Sequence, residues 1–450
     1  MKQTTFAFKV INDDLDGDLL QSVHDFDSVL MFEGGDDYTS LKARMDRLLV
    51  EVAKAKQDGI EVEGHTYPVE FTLGGDLAFL NAVMGLSSCS HTYPCVWCKK
   101  HIGTFHEFDT PAPPRTVADM LNLSHQFDSF PGQCQKCADP FADKKAVKEA
   151  IPTTERARLD SQKEHDGSFP GRPPLFGSLV EVVDIVPDIL HLMLRIVDTL
   201  FHRTIKSNML KEHEEPLILV LRETVKCSIK TEKIKAQSKS GDSSQAITKA
   251  TFIGRECEKL VGAIDTVLKC IFDEETDVYA DIKDCWQKWE ELWELLSSPL
   301  PRNDVRVGNK PVTYPKNETD ARELRASQIE SAAAEFIDSF GLADDDSHCT
   351  LYFHILIEHI PQAIRRHGDL RKYSTSGLEH LHSFKKRDKN MINGRTVSNK
   401  EGRGKKMTLG RVWQAMKAEY VRKVANRLRP SGLSQWAKQL ARKARRGLMF

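Results

Sequence analysis

The stretch LGGDLAFLNAVMGLSSCSHTYPCVWC (Leu73–Cys98) carries an aspartate, Asp76, just past an apolar run and a Cys-x-x-Cys, Cys95 and Cys98, 19 residues after that aspartate. Immediately upstream, VEFTL (Val69–Leu73) alternates apolar and polar residues as a half-buried strand does. Gly74 and Gly75 end that strand and allow a sharp turn, so Asp76 stands at its C-terminal lip. A carboxylate there is either a functional group at the edge of a mixed α/β sheet or the N-cap of a helix over Leu77–Leu86.

Elements further upstream fit the same sheet. TTFAFKVI (Thr4–Ile11) turns Phe6, Phe8 and Val10 to one face, and Val29–Phe32 reads as a second strand after the acidic turn INDDLDGD. From about Tyr38 to Gln57, Leu41, Met45, Leu48, Leu49 and Val52 form the apolar stripe of a helix.

The chain has 450 residues, 40% of them hydrophobic, enough for sizeable cores and for two or three domains. No apolar run approaches the roughly 20 residues that span a bilayer, and MKQTTFAFKVINDD has no signal-peptide core, so an intracellular protein is expected. Ten scattered cysteines suit a reducing compartment, which makes the Cys-x-x-Cys pairs metal or redox candidates.

The net charge of −1 conceals a polarity. Lys385–Phe450 holds 20 Lys/Arg against three acidic residues, +17, which leaves −18 for residues 1–384. The clusters Lys385, Lys386, Arg387 and Lys389, then Lys405 and Lys406, then Arg442, Lys443, Arg445 and Arg446 flank an amphipathic stretch, Leu409–Leu428. Such a tail neutralises phosphates or serves as a nuclear-import address, so DNA and a nuclear location are the expected partner and place; a solvated tail without fixed partner is the plain alternative.

A tetrahedral zinc site needs four Cys/His donors, and Cys95 and Cys98 supply two. Cys134 and Cys137 (CQKC) would complete it locally, with 35 residues between the pairs; His354 and His359 in YFHILIEHIP would complete it from far away. Residues five apart on an ideal helix stand about 140° round the axis, so spacing alone favours the local site.

In DIVPDILHLMLRIVDTLF, Val182–Val186 reads as a short buried strand and Asp188 opens an apolar helix, with His191 one turn in. An N-cap and a core histidine explain that pair without further function. From there to about Ala343 the pattern is helical, with a polar connection at Ala236–Ala250 and a tryptophan-rich segment, CWQKWEELWELL. Trp286, Trp289 and Trp293 stand at helical spacing and read as core rather than interface. Glu379 lies in STSGLEHLHSFKKRDK, a helix running into the basic tail.

As a set, these spacings resemble the RNase H-like DDE transposases and recombinases of the type of the V(D)J recombination-activating core and the Transib transposases. In that family the second catalytic aspartate precedes a Cys-x-x-Cys by 19 residues, as Asp76 does; two zinc-binding histidines stand five apart before a proline, as His354 and His359 do; and the catalytic glutamate follows 20 residues later, at Glu379. Asp188 and His191 match an Asp-x-x-His of the wider superfamily. The likeness covers roughly Thr4–Asn399 and reverses the zinc preference, joining Cys95 and Cys98 to His354 and His359; Cys134 and Cys137 are outside the pattern.

The resemblance implies an α/β fold: an interrupted RNase H-like core at 1–115 and 179–210, an irregular insert at 116–178, an all-helical insertion at 211–345, the His-pair and glutamate helices at 346–395, and a basic helical tail at 396–450. It implies structural zinc, and Mg²⁺ or Mn²⁺ held by Asp76 and Glu379 for phosphodiester cleavage and transfer, where two metal ions activate the attacking oxygen and stabilise the leaving one. It also implies a homodimer, since a transposon has two ends, and neither membrane nor small-molecule substrate. The family's first aspartate belongs to a strand before TTFAFKVI, hence upstream of Met1, so the chain as written is expected to be an inactive, N-terminally truncated form. Two other readings stand beside strand transfer: a domesticated non-catalytic DNA-binding module, and a zinc-stapled interaction protein using its tryptophan face.

Overall fold

The computed structural model describes residues 3–8, 11, 27–33, 35, 37–62, 64–86, 89, 92–122, 172–208, 213–226, 252–300, 317–341, 349–376 and 378–379. The chain divides into two compact units, Met1–Thr4 with Phe32–Ser374, and Thr5–Met31 with Thr375–Phe450. What is described is mostly helical with two small two-stranded sheets.

Strands β1 (Gln3–Phe8) and β2 (Asp27–Glu33) pair with each other, as the alternation of TTFAFKVI suggests. Helix α1 (Tyr38–Asp58) starts at Asp37, whose carboxylate accepts from the Ser40 N–H at 3.0 Å, and it buries Tyr38, Leu41 and Met45. A hairpin that the pattern does not announce follows, β3 (Ile60–Val62) and β4 (His65–Tyr67), antiparallel with Ile60 opposite Tyr67. Its strands are three residues each, with Ile60 and Tyr67 exposed, so no periodicity marks them.

The strand expected over VEFTL is a correction. Its alternation is present, with Val69, Phe71 and Leu73 less exposed than Glu70 and Thr72, but among these residues only Leu73 joins a bridge, parallel to Ile185. Leu73 donates to Asp184 O at 3.0 Å and accepts from Val186 N at 2.9 Å. The reason is in the partner. Val182–Asp184, expected as strand, curls into a 3-10 turn closed by Ile185 N to Val182 O at 3.2 Å, so one ladder position is all it offers.

Helix α2 (Leu77–Val83) follows directly. A Cβ on Gly75 would fall 2.5 Å from the Phe79 ring, so glycine is required where the chain turns into this helix. At its far end Gly85 has φ +67° and lies against Arg172 O, where a Cβ would sit at 1.8 Å.

The helical part comprises α3 (Ile189–Asn208), α4 (Glu214–Val220), α5 (Gly254–Gly262), α6 (Ile264–Lys269), α7 (Asp277–Ser297), α8 (Glu318–Phe340), α9 (Leu351–His354) and α10 (Ile360–His367). Thr276 caps α7, Asn317 caps α8, and Gly341 in the left-handed region ends α8. Helix α7 packs on α8 and α8 on α10. Trp286 and Trp289 are buried, which removes most of the tryptophan face from any partner. An aromatic ladder runs on from there: Trp289 to Phe336 at 5.5 Å, Phe336 to Phe353 at 6.0 Å, Phe340 to Phe353 at 5.0 Å. It ends at Phe353, the residue before His354.

Trp286 Nε1–H donates to Thr204 Oγ1 at 3.1 Å, tying α7 to α3. Trp286→Phe loses that bond and part of the indole volume, which should cost roughly 2 kcal/mol. The check is a lowered urea midpoint at unchanged m-value; an unchanged midpoint would mean the bond contributes nothing.

The C-terminal end of α10 grips the same segment that pairs with Leu73. Arg366 Nε bonds Asp184 Oδ1 at 3.0 Å, and His367 Nε2 donates to Val183 O at 2.9 Å. Burial, with Arg366 beside it, holds His367 below the ordinary histidine range, against the opposing effect of the Val183 bond. A histidine with a depressed folded-state pKa contributes stability that is full above its unfolded value and is lost as pH falls through the folded one. Thermal stability should therefore fall on acidification below about pH 6.5, and His367→Gln, which keeps an N–H donor, should flatten that part of the profile.

Candidate metal centre

Cys95 and Cys98 sit in a loop fixed from three sides. Arg115 donates from Nε to Cys95 O at 2.8 Å and from Nη2 to Tyr93 O at 3.2 Å. Arg115 N bonds Trp97 O at 2.9 Å and Lys99 N bonds Pro113 O at 2.9 Å, a short antiparallel bridge behind the thiols. Trp97 Nε1–H donates to Ile185 O at 2.8 Å, so the loop is tied to the residue that pairs with Leu73.

The two histidines come from the other end of the unit. Between α9 and α10 the chain makes one π turn, Ile355–His359, in which Ile360 N–H reaches back to Ile355 O. The cause is Pro361, which has no N–H to donate and whose ring crowds the carbonyl four residues earlier, so the helix widens just upstream. In this wider turn residues five apart share a face. The ideal-helix figure of about 140° does not hold at this place, and the preference for a local site built on it is corrected: the completion is by His354 and His359, while Cys134 and Cys137 lie outside the described residues.

All four ligating atoms lie within 4.8 Å of one another, and all four residues are buried. Cys95 Sγ is 3.2 Å from His359 Nε2, Cys98 Sγ 3.2 Å from His354 Nε2, and the two Nε2 atoms are 3.2 Å apart. Donors of a tetrahedral zinc ion with bonds of about 2.0–2.3 Å stand roughly 3.3–3.8 Å apart, so the constellation is close to that geometry. Two Nε2 atoms facing each other in a buried site are also what a shared cation reconciles. Phe105 stacks on the His354 ring at 4.7 Å and 5°, and Trp97 lies 5.4 Å from the His359 ring.

The electrostatics agree. The Cys98 thiol is held far down by the hydrogen bond from Cys95 and then by the two histidines, against burial; Cys95 is pushed well up, by burial first and by Cys98 second. For His354 burial is the largest influence and opposes the charge, but Cys98, hydrogen-bonded to it, and the nearby Glu358 carboxylate outweigh burial and raise the pKa. A divalent ion bound by both sulfurs would hold both thiols deprotonated. The buried cluster of Cys95, Cys98, His354 and His359 could thus bind zinc.

The remaining candidates fall as follows. Asp76 is the N-cap of α2, its Oδ1 accepting from Phe79 N at 2.8 Å. A cap uses one of two carboxylate oxygens, so capping does not exclude a second ligand. Asp188 is buried at the start of α3, accepts from Leu190 N at 3.3 Å and holds His191 Nδ1. Glu379 is exposed in the second unit, its N–H donating to Thr375 O at 2.9 Å. The basic clusters from Lys385 to Arg446 and the polar connection at 236–250 lie outside the described residues.

Two residues at this centre had no signal in the sequence. Lys100 is buried and Glu358 half-buried, and they meet in an ion pair beside His354. Among the described residues no helix is long and apolar enough to cross a membrane. No protein-family model matches the chain, and no curated protein matches its sequence.

Proposed function

We propose that the chain is a transposase-derived DNA-processing domain with an interrupted RNase H-like core, acting on phosphodiesters through divalent metal held by carboxylates. The observation that carries this reading is the convergence of Cys95, Cys98, His354 and His359. Local spacing argued for a different partner pair, and the four residues that meet are those the resemblance joins. The parallel pairing of Leu73 with Ile185 supports it too, because Asp76 and Asp188 each follow three residues beyond a paired position.

In this reading the metal centre is structural, tying the Cys-x-x-Cys loop to the His-pair helix. Asp76 and, by the resemblance, Glu379 would supply carboxylates for catalytic Mg²⁺ or Mn²⁺, whose chemistry is to activate the attacking oxygen and stabilise the leaving one. Asp188 fixes the start of α3 and the ring of His191. The basic tail tracks the DNA backbone and carries the nuclear address, and the chain works as a homodimer. Binding is the informative readout, because it reports the basic tail through its salt dependence and the carboxylates through its Mg²⁺ dependence.

The test is titration of duplex DNA at rising salt, with and without Mg²⁺. Salt-sensitive affinity that Mg²⁺ tightens, and that Asp76→Asn makes indifferent to Mg²⁺, is expected. Salt-sensitive binding indifferent to Mg²⁺ in the unaltered chain would favour the non-catalytic DNA-binding module, and affinity flat in salt would end both readings.

A further inference from the structure

Lys100 and Glu358 form a buried brace across the two halves of the metal centre. Lys100 lies two residues after Cys98, and its side chain is 3% exposed. Its ammonium has three protons, and Nζ has three acceptors: Glu107 O at 2.6 Å, Thr110 O at 3.1 Å and the carboxylate of Glu358. Glu358 lies between the two histidines in sequence, one residue before His359 and inside the π turn. The oxygen that Lys100 grips, Oε1, is also 3.4 Å from His354 Nδ1.

A buried lysine is costly unless each donor is engaged and its charge is met. Here the cost is incurred next to a cluster whose two thiolates and two neutral imidazoles would balance a dication, so the brace adds a neutral pair to a neutral site. A carboxylate beside the non-ligating nitrogen of a metal-bound histidine fixes the ring's tautomer and strengthens it as a donor. With Nδ1 facing Glu358 and a ring face against Phe105, the Nε2 of His354 points into the cluster, 3.2 Å from both Cys98 Sγ and His359 Nε2. Neither Nδ1 makes a hydrogen bond of full geometry among the described residues, but that of His354 has the Glu358 carboxylate oxygen 3.4 Å away, while no carboxylate is paired with that of His359.

We infer that Lys100 and Glu358 are positioning residues of the metal centre, Glu358 orienting His354 as the firmly held ligand and Lys100 holding Glu358 in place. The inference rests on the reading of the four-residue cluster as a zinc site. It treats the ion pair as part of the metal site rather than as packing between a loop and a helix.

The experiment uses the full chain and measures zinc stoichiometry, the zinc dissociation constant by competition with a chromophoric chelator, and the visible spectrum of the Co²⁺-substituted protein. The informative variant is the double replacement Lys100→Met with Glu358→Gln, which removes both charges and keeps both volumes, with Glu358→Gln alone as the second. The expected result is a folded double variant that binds zinc about 10–100 times more weakly, the range found when such outer partners of metal-bound histidines are lost, with an altered Co²⁺ spectrum. The single variant should weaken binding as well, and the two replacements should combine non-additively, since they act through one contact. Unchanged zinc affinity and an unchanged Co²⁺ spectrum in both variants would overturn the proposal and leave the pair a structural ion pair. Absence of one zinc equivalent in the unaltered chain would instead overturn the metal reading, and the brace with it, so the two failures are told apart by which protein shows them.

Discussion

Cys98→Ser should lose its zinc equivalent and melt on the order of 10 °C lower than the unaltered chain, and chelation of the unaltered chain should produce the same shift. A metal that binds the folded state alone stabilises it by RT ln(1 + [L]/Kd), about 4 kcal/mol at a thousandfold excess over Kd, and 1 kcal/mol moves the melting temperature of a 150–250-residue domain by about 2–4 °C. The position of the site makes the effect global rather than local. Cys95 and Cys98 are tied through Trp97 to the Leu73–Ile185 pairing, and His354 and His359 adjoin Phe353, where the aromatic ladder from α7 and α8 ends. Removing the ion leaves buried thiols and facing imidazoles with one shared set of protons in place of a dication. Zinc affinity should also fall with falling pH, because both thiols must be deprotonated and both imidazoles neutral to bind. Calorimetry with and without chelator checks the shift, and a Cys98→Ser protein that keeps its zinc and its melting temperature would remove the staple.

What the sequence disclosed of this centre, and what it withheld, have separate physical reasons. The Cys-x-x-Cys pair was legible because its ligands are local. The histidines were visible as residues but not as partners, since no spacing rule spans the 256 residues from Cys98 to His354. The geometric objection to them assumed an uninterrupted α-helix, although Pro361 two residues after His359 was on view as the cause of a wider turn. The alternation in VEFTL was likewise legible and real, but whether a segment joins a ladder depends on its neighbour, and the curl at Val182–Asp184 leaves one bridge. Lys100 and Glu358 gave no sign because a lysine and a glutamate default to the surface, and burial that contradicts the default depends on the assembled fold. Helix α1 and the buried face of α7 needed no such information: Leu41 and Met45, Trp286 and Trp289 recur at helical intervals and are buried.

Affinity for duplex DNA should fall by roughly 10³–10⁵ between 50 and 200 mM salt, the loss that accompanies about 6–10 phosphate contacts. The charge distribution makes the tail the source of that dependence. Its 20 Lys/Arg against three acidic residues follow a stretch of net −18, so under the proposed function the tail would carry the attraction for a polyanion. Each phosphate contact contributes about 0.9 to the slope of log affinity against log salt. Neutralising Lys405, Lys406, Arg442, Lys443, Arg445 and Arg446 together should therefore lower the slope by about 5 if each makes one contact. The loss should be alike for all sequences, because backbone contacts position a protein on DNA without reading bases. Asp76→Asn acts on another quantity: it removes a charge that repels phosphate in the absence of metal, so it should tighten binding slightly without Mg²⁺ and abolish any gain from Mg²⁺. A tail variant with an unchanged salt slope would move DNA recognition off the tail, and an Asp76→Asn protein that still responds to Mg²⁺ would take the catalytic metal away from Asp76 and leave that residue as the cap of α2.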